Sequence, residues 1–120
     1  MADRVLFVGW GESARGAEER ALGAFNEAMG LLGRKQQGGQ IESFDVVLLE
    51  PNSDLGGYAT VRGSAEQIAA LRADPEFQRN TIDAQLSVDG IRHIEGWTNE
   101  GVAAQMAMYQ EAVSKVPQNA

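Results

Sequence analysis

Residues 5–10, Val5-Leu6-Phe7-Val8-Gly9-Trp10, are apolar, β-branched or aromatic, and the chain then breaks into the glycine-punctuated residues 11–16. This reads as a strand followed by a loop. From about Ala17 the period lengthens. Leu22, Phe25, Met29 and Leu32 are spaced three, four and three apart, which places them on one face of a helix. Arg34 and Lys35 fall in its last turn, where cations suit the macrodipole, and Gly38-Gly39 ends it. A period of two returns in residues 41–50. Phe44, Val46 and Leu48 share one face there; Ser43, Asp45, Val47 and Leu49 share the other. Pro51-Asn52-Ser53-Asp54 makes a turn, and residues 55–62 return as a third strand. So short a connection joins antiparallel neighbours. Ala59 and Val61 are expected to face the core, and Tyr58, Thr60 and Arg62 to face away from it.

Ser64-Ala65-Glu66-Gln67 has the form of a capping box, with Ile68 and Leu71 following on its helix. Asp74-Pro75-Glu76-Phe77 restarts the helix, with Asp74 as cap and Pro75 in the first turn, and it is expected to run to about Ser87. Asp89-Gly90 turns the chain into a fourth strand, residues 91–97. Asn99 is placed to cap a last helix on which Val102, Met106, Tyr109 and Val113 are spaced four, three and four apart. Pro117 and the polar Gln118-Asn119-Ala120 are expected to fray.

The order β-α-β-β-α-β plus a terminal helix is the split βαβ pattern. It predicts an α+β fold over residues 1–120, one domain. Right-handed crossovers give a four-stranded antiparallel sheet in the order 4-1-3-2, with both main helices on one face. The second face has no cover from its own chain. It carries Val47, Leu49 and either Leu6 with Val8 or Val5 with Phe7. An apolar face of that size calls for a partner, and a second copy packed sheet to sheet would supply one.

Residues 4–12, residues 41–63 with Gly56-Gly57-Tyr58, residues 64–77 with Asp74-Pro75-Glu76-Phe77, and residues 90–97 together resemble the dimeric α/β-barrel superfamily. In it, two ferredoxin-like subunits close into one barrel around a shared cavity. The layout is similar to members related to the YCII-like proteins and the antibiotic-biosynthesis monooxygenases. The resemblance implies a homodimer and a range of activities: cofactor-free oxygenases, lactone isomerases, haem-degrading enzymes, dismutating enzymes and stress-related proteins. A fold shared so widely does not choose among them.

Composition narrows the partners. Seventeen acidic against ten basic residues give a formal net charge of -7, which repels phosphate backbones and anionic headgroups. Neither nucleic acid nor a membrane is expected. The absence of cysteine excludes disulfides, thiolate metal sites and cysteine nucleophiles. The start, Met1-Ala2-Asp3-Arg4, lacks a signal-peptide pattern, and no segment approaches the ~20 apolar residues of a membrane span. A cytoplasmic chain is expected.

Few motifs carry chemistry. Gly9-Trp10-Gly11-Glu12-Ser13-Ala14 matches G-x-G-x-x-A, with Glu50 where a ribose-binding acid would stand. The antiparallel return after the second strand is wrong for a dinucleotide fold, so the glycines read as a flexible strand-to-helix connection. His93 is the only histidine and the only side chain with an ordinary pKa near neutrality. If Ile94 packs under the helices, His93 and Glu95 look into the space between subunits. Asp45, Tyr58, Thr60 and Arg62 then join them as a polar lining, and Asp45 of one copy could approach His93 of the other and raise its pKa. His93 reads either as a general base or as a hydrogen-bonded residue at the sheet edge. Arg62 and Glu95 read either as cavity lining or as salt-bridge partners near strand ends. Trp10 and Trp97 could stack on a planar ligand, or fill the core or a dimer contact. The Asn, Trp and His set implied for haem degradation has no match: Asn26 lies in the first helix and Asn52 in a turn. No metal and no cofactor are expected.

The resulting expectation is a small-molecule-binding dimer acting as a cofactor-free oxygenase or isomerase on a small aromatic or polyketide-like substrate. His93 would be the base, and Arg62 or Tyr58 would stabilise an enolate. The alternative is a non-catalytic module that binds a ligand or a partner.

Overall fold

The computed structural model describes residues 2–117; the chain end, residues 118–120, lies outside the described residues, as does Met1. Eight elements follow one another: β1 (Arg4–Trp10), α1 (Glu18–Gln37), β2 (Ser43–Leu48), β3 (Gly57–Gly63), α2 (Ala65–Ala73), α3 (Pro75–Ser87), β4 (Arg92–Trp97) and α4 (Glu100–Ser114).

Local signals set most of the element ends. The Ser64 side chain accepts from the Gln67 N–H at 3.1 Å while the Gln67 side chain accepts from the Ser64 N–H at 2.8 Å, a complete capping box on α2. Asp74 accepts from the N–H groups of Glu76 and Phe77 and so starts α3, with Pro75 at its head. The hydrogen bond from Lys35 of α1, together with these backbone bonds and against some desolvation, holds the Asp74 carboxyl below the usual carboxylate range. Between β2 and β3, Asn52 organises the turn, its Oδ1 accepting from the N–H groups of Asp54 and Leu55. β2, β3 and β4 are shorter than the alternation suggests, and β1 is one residue longer. Ile41 is buried in the core just ahead of β2 instead of within it.

The sheet order is β2-β3-β1-β4, antiparallel throughout, as the split βαβ order requires. One face packs under the helices. Leu6, Leu31, Leu32, Ile41, Val61, Ile68, Leu71 and Phe77 form the buried core there, flanked by Val8, Met29 and Phe44. Cross-strand register assigns the faces, because directly opposed residues share one. Val8 opposes both Ala59 and His93, and Ala59 opposes Val46, so these four lie on the helix face. Phe7 opposes Thr60 and Ile94, and Thr60 opposes Asp45, so those four lie on the open face. Val5 and Phe7, not Leu6 and Val8, therefore belong to the open side.

Two local expectations are corrected. Asn99 does not cap α4 with its side chain; its Nδ2 donates to the Ala2 carbonyl at 2.6 Å instead. The glycines after β1 do not form a loose connection. The Gly11 N–H donates to the Asp89 carbonyl at 2.7 Å, and a Cβ on Gly11 would meet that same oxygen. The loop is closed on its own chain, which accounts for glycine at this position without a pyrophosphate. Among the described residues, no helix is long and apolar enough to cross a membrane.

Candidate ligand-binding site

Between the helix layer and the sheet lies a cavity of about 340 Å3. Its position follows from the sequence pattern. The Leu22, Phe25, Met29 and Leu32 face of α1 forms one wall, and Phe77, Asn80, Thr81 and Ala84 of α3 form another. The floor is Val8 and Trp10 of β1, Ala59 of β3 and His93 of β4. The rings of Trp10 and Phe25 meet edge to face, with centroids 5.8 Å apart. Leu22 and Leu48, 61% and 71% exposed, mark the rim where the cavity opens to solvent.

Among the described residues, the lining contains no acidic or basic side chain other than His93. The other polar side chains have largely spent their hydrogens on the helices. Asn80 Nδ2 donates to the Ala24 carbonyl at 2.9 Å, Thr81 Oγ1 to the Phe77 carbonyl at 3.0 Å, and Ser87 Oγ to the Asp83 carbonyl at 2.8 Å. His93 differs. Its ring lies against Phe77, with centroids 5.4 Å apart, and among the described residues it makes no hydrogen bond. Burial, and after it the Arg72 guanidinium, holds the imidazole below its ordinary pKa. The ring is therefore neutral at pH 7, with one nitrogen free to accept a proton or hydrogen bond.

The residues singled out in the sequence fall into three places. His93 and Trp10 meet in the cavity. Asp45, Tyr58, Thr60 and Arg62 lie together on the open face, where Asp45 pairs with Arg62 at 3.2 Å and Tyr58 stacks on Phe7 at 5.2 Å. Glu95 and Trp97 lie on the helix face, outside the cavity. Glu95 pairs with Arg4 and Arg72, and the Arg4 guanidinium sits 4.9 Å above the Trp97 ring. The structure thus corrects the expected facing of His93 and Glu95, because Ile94 points to the open side. The sheet separates His93 from Asp45, Tyr58 and Arg62. No Asp45–His93 pair can form across packed open faces, and the His93 pKa moves down, not up. Arg62 and Glu95 are both salt-bridged, though not to each other.

Sequence reasoning missed Phe77, Asn80 and Thr81 as lining. In the sequence Phe77 stands out only as part of a helix start, although the spacing of Phe77, Asn80, Thr81 and Ala84 already puts them on one face of α3. Among the described residues, no cluster of three or more His, Cys, Asp or Glu side chains could hold a metal ion.

No family model matches the chain, and no curated protein does. Solved structures do. A dimeric protein of unknown function and ferredoxin-like fold from Bacteroides fragilis superposes with a TM-score of 0.59 at 10% identity, over 79% of this chain and 96% of that one. A candidate antibiotic biosynthesis monooxygenase from Chloroflexus aurantiacus gives 0.55 at 14% identity, over 80% and 93%. SnoaB, a cofactor-independent oxygenase from Streptomyces nogalater, gives 0.50 at 17% identity, over 82% and 93%. At these identities the likeness is one of fold, and the fold is ferredoxin-like α+β.

Proposed function

We propose that the helix-side cavity binds a small, uncharged aromatic molecule and that His93 acts on it as a general base, in a cofactor-independent oxygenase or isomerase reaction. The observation that carries this reading is the neutral, unpaired imidazole of His93 set in an otherwise uncharged, largely apolar wall. A cavity of 340 Å3 stands at the small end of ligand pockets, which suits roughly two or three fused rings. A phenol or enol placed against His93 would give up its proton to the ring nitrogen. In an isomerase that proton returns at another carbon. In an oxygenase the electron-rich anion reacts with dioxygen using the substrate's own electrons. The fold shared with SnoaB, named as a cofactor-independent oxygenase, supports the oxygenase branch.

The proposed chain works as a homodimer closed over the open sheet face, where Val5, Phe7, Val47, Tyr58 and Ile94 gather. The dimeric ferredoxin-like neighbour supports this arrangement. Asp45, Tyr58, Thr60 and Arg62 would then line the subunit interface, on the far side of the sheet from His93.

Calorimetry with 2-naphthol and 2-naphthoate tests the site. The neutral phenol is expected to bind and the carboxylate not, since among the described residues no lysine or arginine lines the cavity. Oxygen uptake and product analysis with a panel of bicyclic and tricyclic phenols then test the chemistry. His93→Gln should keep binding and lose about 100-fold or more in rate. A second reading has an observation of its own: no side chain hydrogen-bonds the His93 ring to orient it, among the described residues. Binding without turnover of any phenol would favour that reading, a non-catalytic ligand-binding module.

A further inference from the structure

The terminal helix leaves its own chain almost bare. Of α4 only Gly101 is buried, and Val102, Met106 and Tyr109, on one helix face, are 46%, 49% and 65% exposed. The molecule is correspondingly long. Its radius of gyration is 17.2 Å and its extents are 56 × 37 × 23 Å, where a compact chain of this length would have a radius of about 13.6 Å.

Yet α4 is firmly aimed. Residues 98–101 form a tight turn in which the Gly101 N–H donates to the Thr98 carbonyl at 3.0 Å. Asn99 sits at φ 52° and ψ -127°, a region that favours glycine and strains any other residue. Three contacts hold it there. Asn99 Nδ2 donates to the Ala2 carbonyl, the Thr98 N–H donates to the Asp3 carbonyl at 3.0 Å, and Gly101 lies so close to the Asp3 carbonyl that a Cβ would collide. Backbone strain is thus maintained to fix the direction of a helix that buries almost nothing at home.

We propose that α4 is an arm that lays its Val102, Met106 and Tyr109 face on a second copy of the chain, an inference that rests on the dimer reading above. Area decides in its favour. Four strands spaced ~4.8 Å apart and ~20–23 Å long give an open face of about 400 Å2. Two such faces bury about 800 Å2 in total, no more than a lattice contact, where a specific dimer needs about 1,200 Å2 or more. The fifteen residues of α4 make a helix about 22 Å long, and its apolar side adds about 220 Å2 per copy. Each arm also covers a like area of its partner, so the total reaches about 1,680 Å2, the size of a standard specific interface. Each copy offers both an open sheet and an arm, so one two-fold axis repeats both contacts.

Sedimentation of the wild type and of Met106→Glu, with folding checked by circular dichroism, separates the two proposals. The wild type is expected to be dimeric at micromolar concentration. Met106→Glu should dissociate at a concentration at least 100-fold higher than the wild type does. A dimeric Met106→Glu with the wild-type dissociation constant would overturn the arm and leave the sheet-face dimer standing. A monomeric wild type would overturn both, including the case in which α4 takes up an unrelated protein. If Met106→Glu does not fold, isotope-filtered NMR on mixed dimers gives the answer in the wild-type sequence. Cross-peaks from the Met106 methyl of a labelled copy to an unlabelled one are expected; intramolecular cross-peaks alone would overturn the arm.

Discussion

His93 is the residue on which the reading turns, and its environment makes a signed prediction. Burial and the Arg72 charge both oppose protonation. The single imidazole should therefore titrate below ~6.5, the value of a free histidine. Arg72→Met should raise the midpoint, whereas Asp45→Asn, on the other face of the sheet, should leave it in place. An NMR titration reads all three. A midpoint that falls on Asp45→Asn would mean that the two groups meet after all. The linkage follows the same sign. The unfolded chain binds the proton more readily, so stability is complete above the unfolded pKa and declines as pH falls from there toward the folded value. His93→Phe should remove that decline, which thermal unfolding between pH 7 and pH 5 would show.

At the scale of elements, capping and turn chemistry were legible because they depend on neighbours a few residues apart. Ser64 with Gln67 and Asp74 with Pro75 are of this kind. Ser64→Ala should cost about 1 kcal/mol in urea unfolding, since it removes one half of the capping box; an unchanged midpoint would contradict the cap. Asp74 extends the argument to pH. Its depressed pKa contributes stability above the unfolded carboxylate value, and that contribution is lost as pH falls through the folded value. Asp74→Asn keeps a capping side chain but cannot ionise. The wild type should exceed it in stability at pH 7 and converge with it by pH 2. What the sequence did not reveal was the facing of β4. Its alternation sets His93, Glu95 and Trp97 against Arg92, Ile94 and Gly96, and the apolar residue to bury looked like Ile94. The polar set faces the helices because tertiary partners far away in sequence satisfy it: Phe77 on His93, and Arg4 and Arg72 on Glu95. Asn99 was unreadable for a similar reason. Its positive φ depends on the backbone of residues 2 and 3, not on its neighbours in the chain.

For the molecule as a whole, strand order and helix placement follow from the order of elements, whereas the cavity follows from how α1 and α3 are spaced above the sheet. No periodicity reports that spacing. Phe25 and Met29 were legible as an inward face, but not as the wall of an opening. The open sheet face supplies a prediction at this scale. Val47→Asp puts a charge beside Tyr58 in the proposed interface, and an unpaired charge there disfavours closure. Sedimentation should show its population moved toward monomer; a dimer as tight as the wild type would place the interface elsewhere.

The central claim, a ligand site on the helix side of the sheet, is tested most directly by NMR of protein labelled in histidine and tryptophan and titrated with 2-naphthol. Trp10 and His93 line the cavity, while Trp97 lies outside it beneath Arg4. Saturable shifts of the His93 ring and the Trp10 indole with one common dissociation constant are expected, with a Trp97 indole that stays put. A His93 ring and Trp10 indole unmoved at saturating phenol, or shifts confined to Trp97, would contradict it.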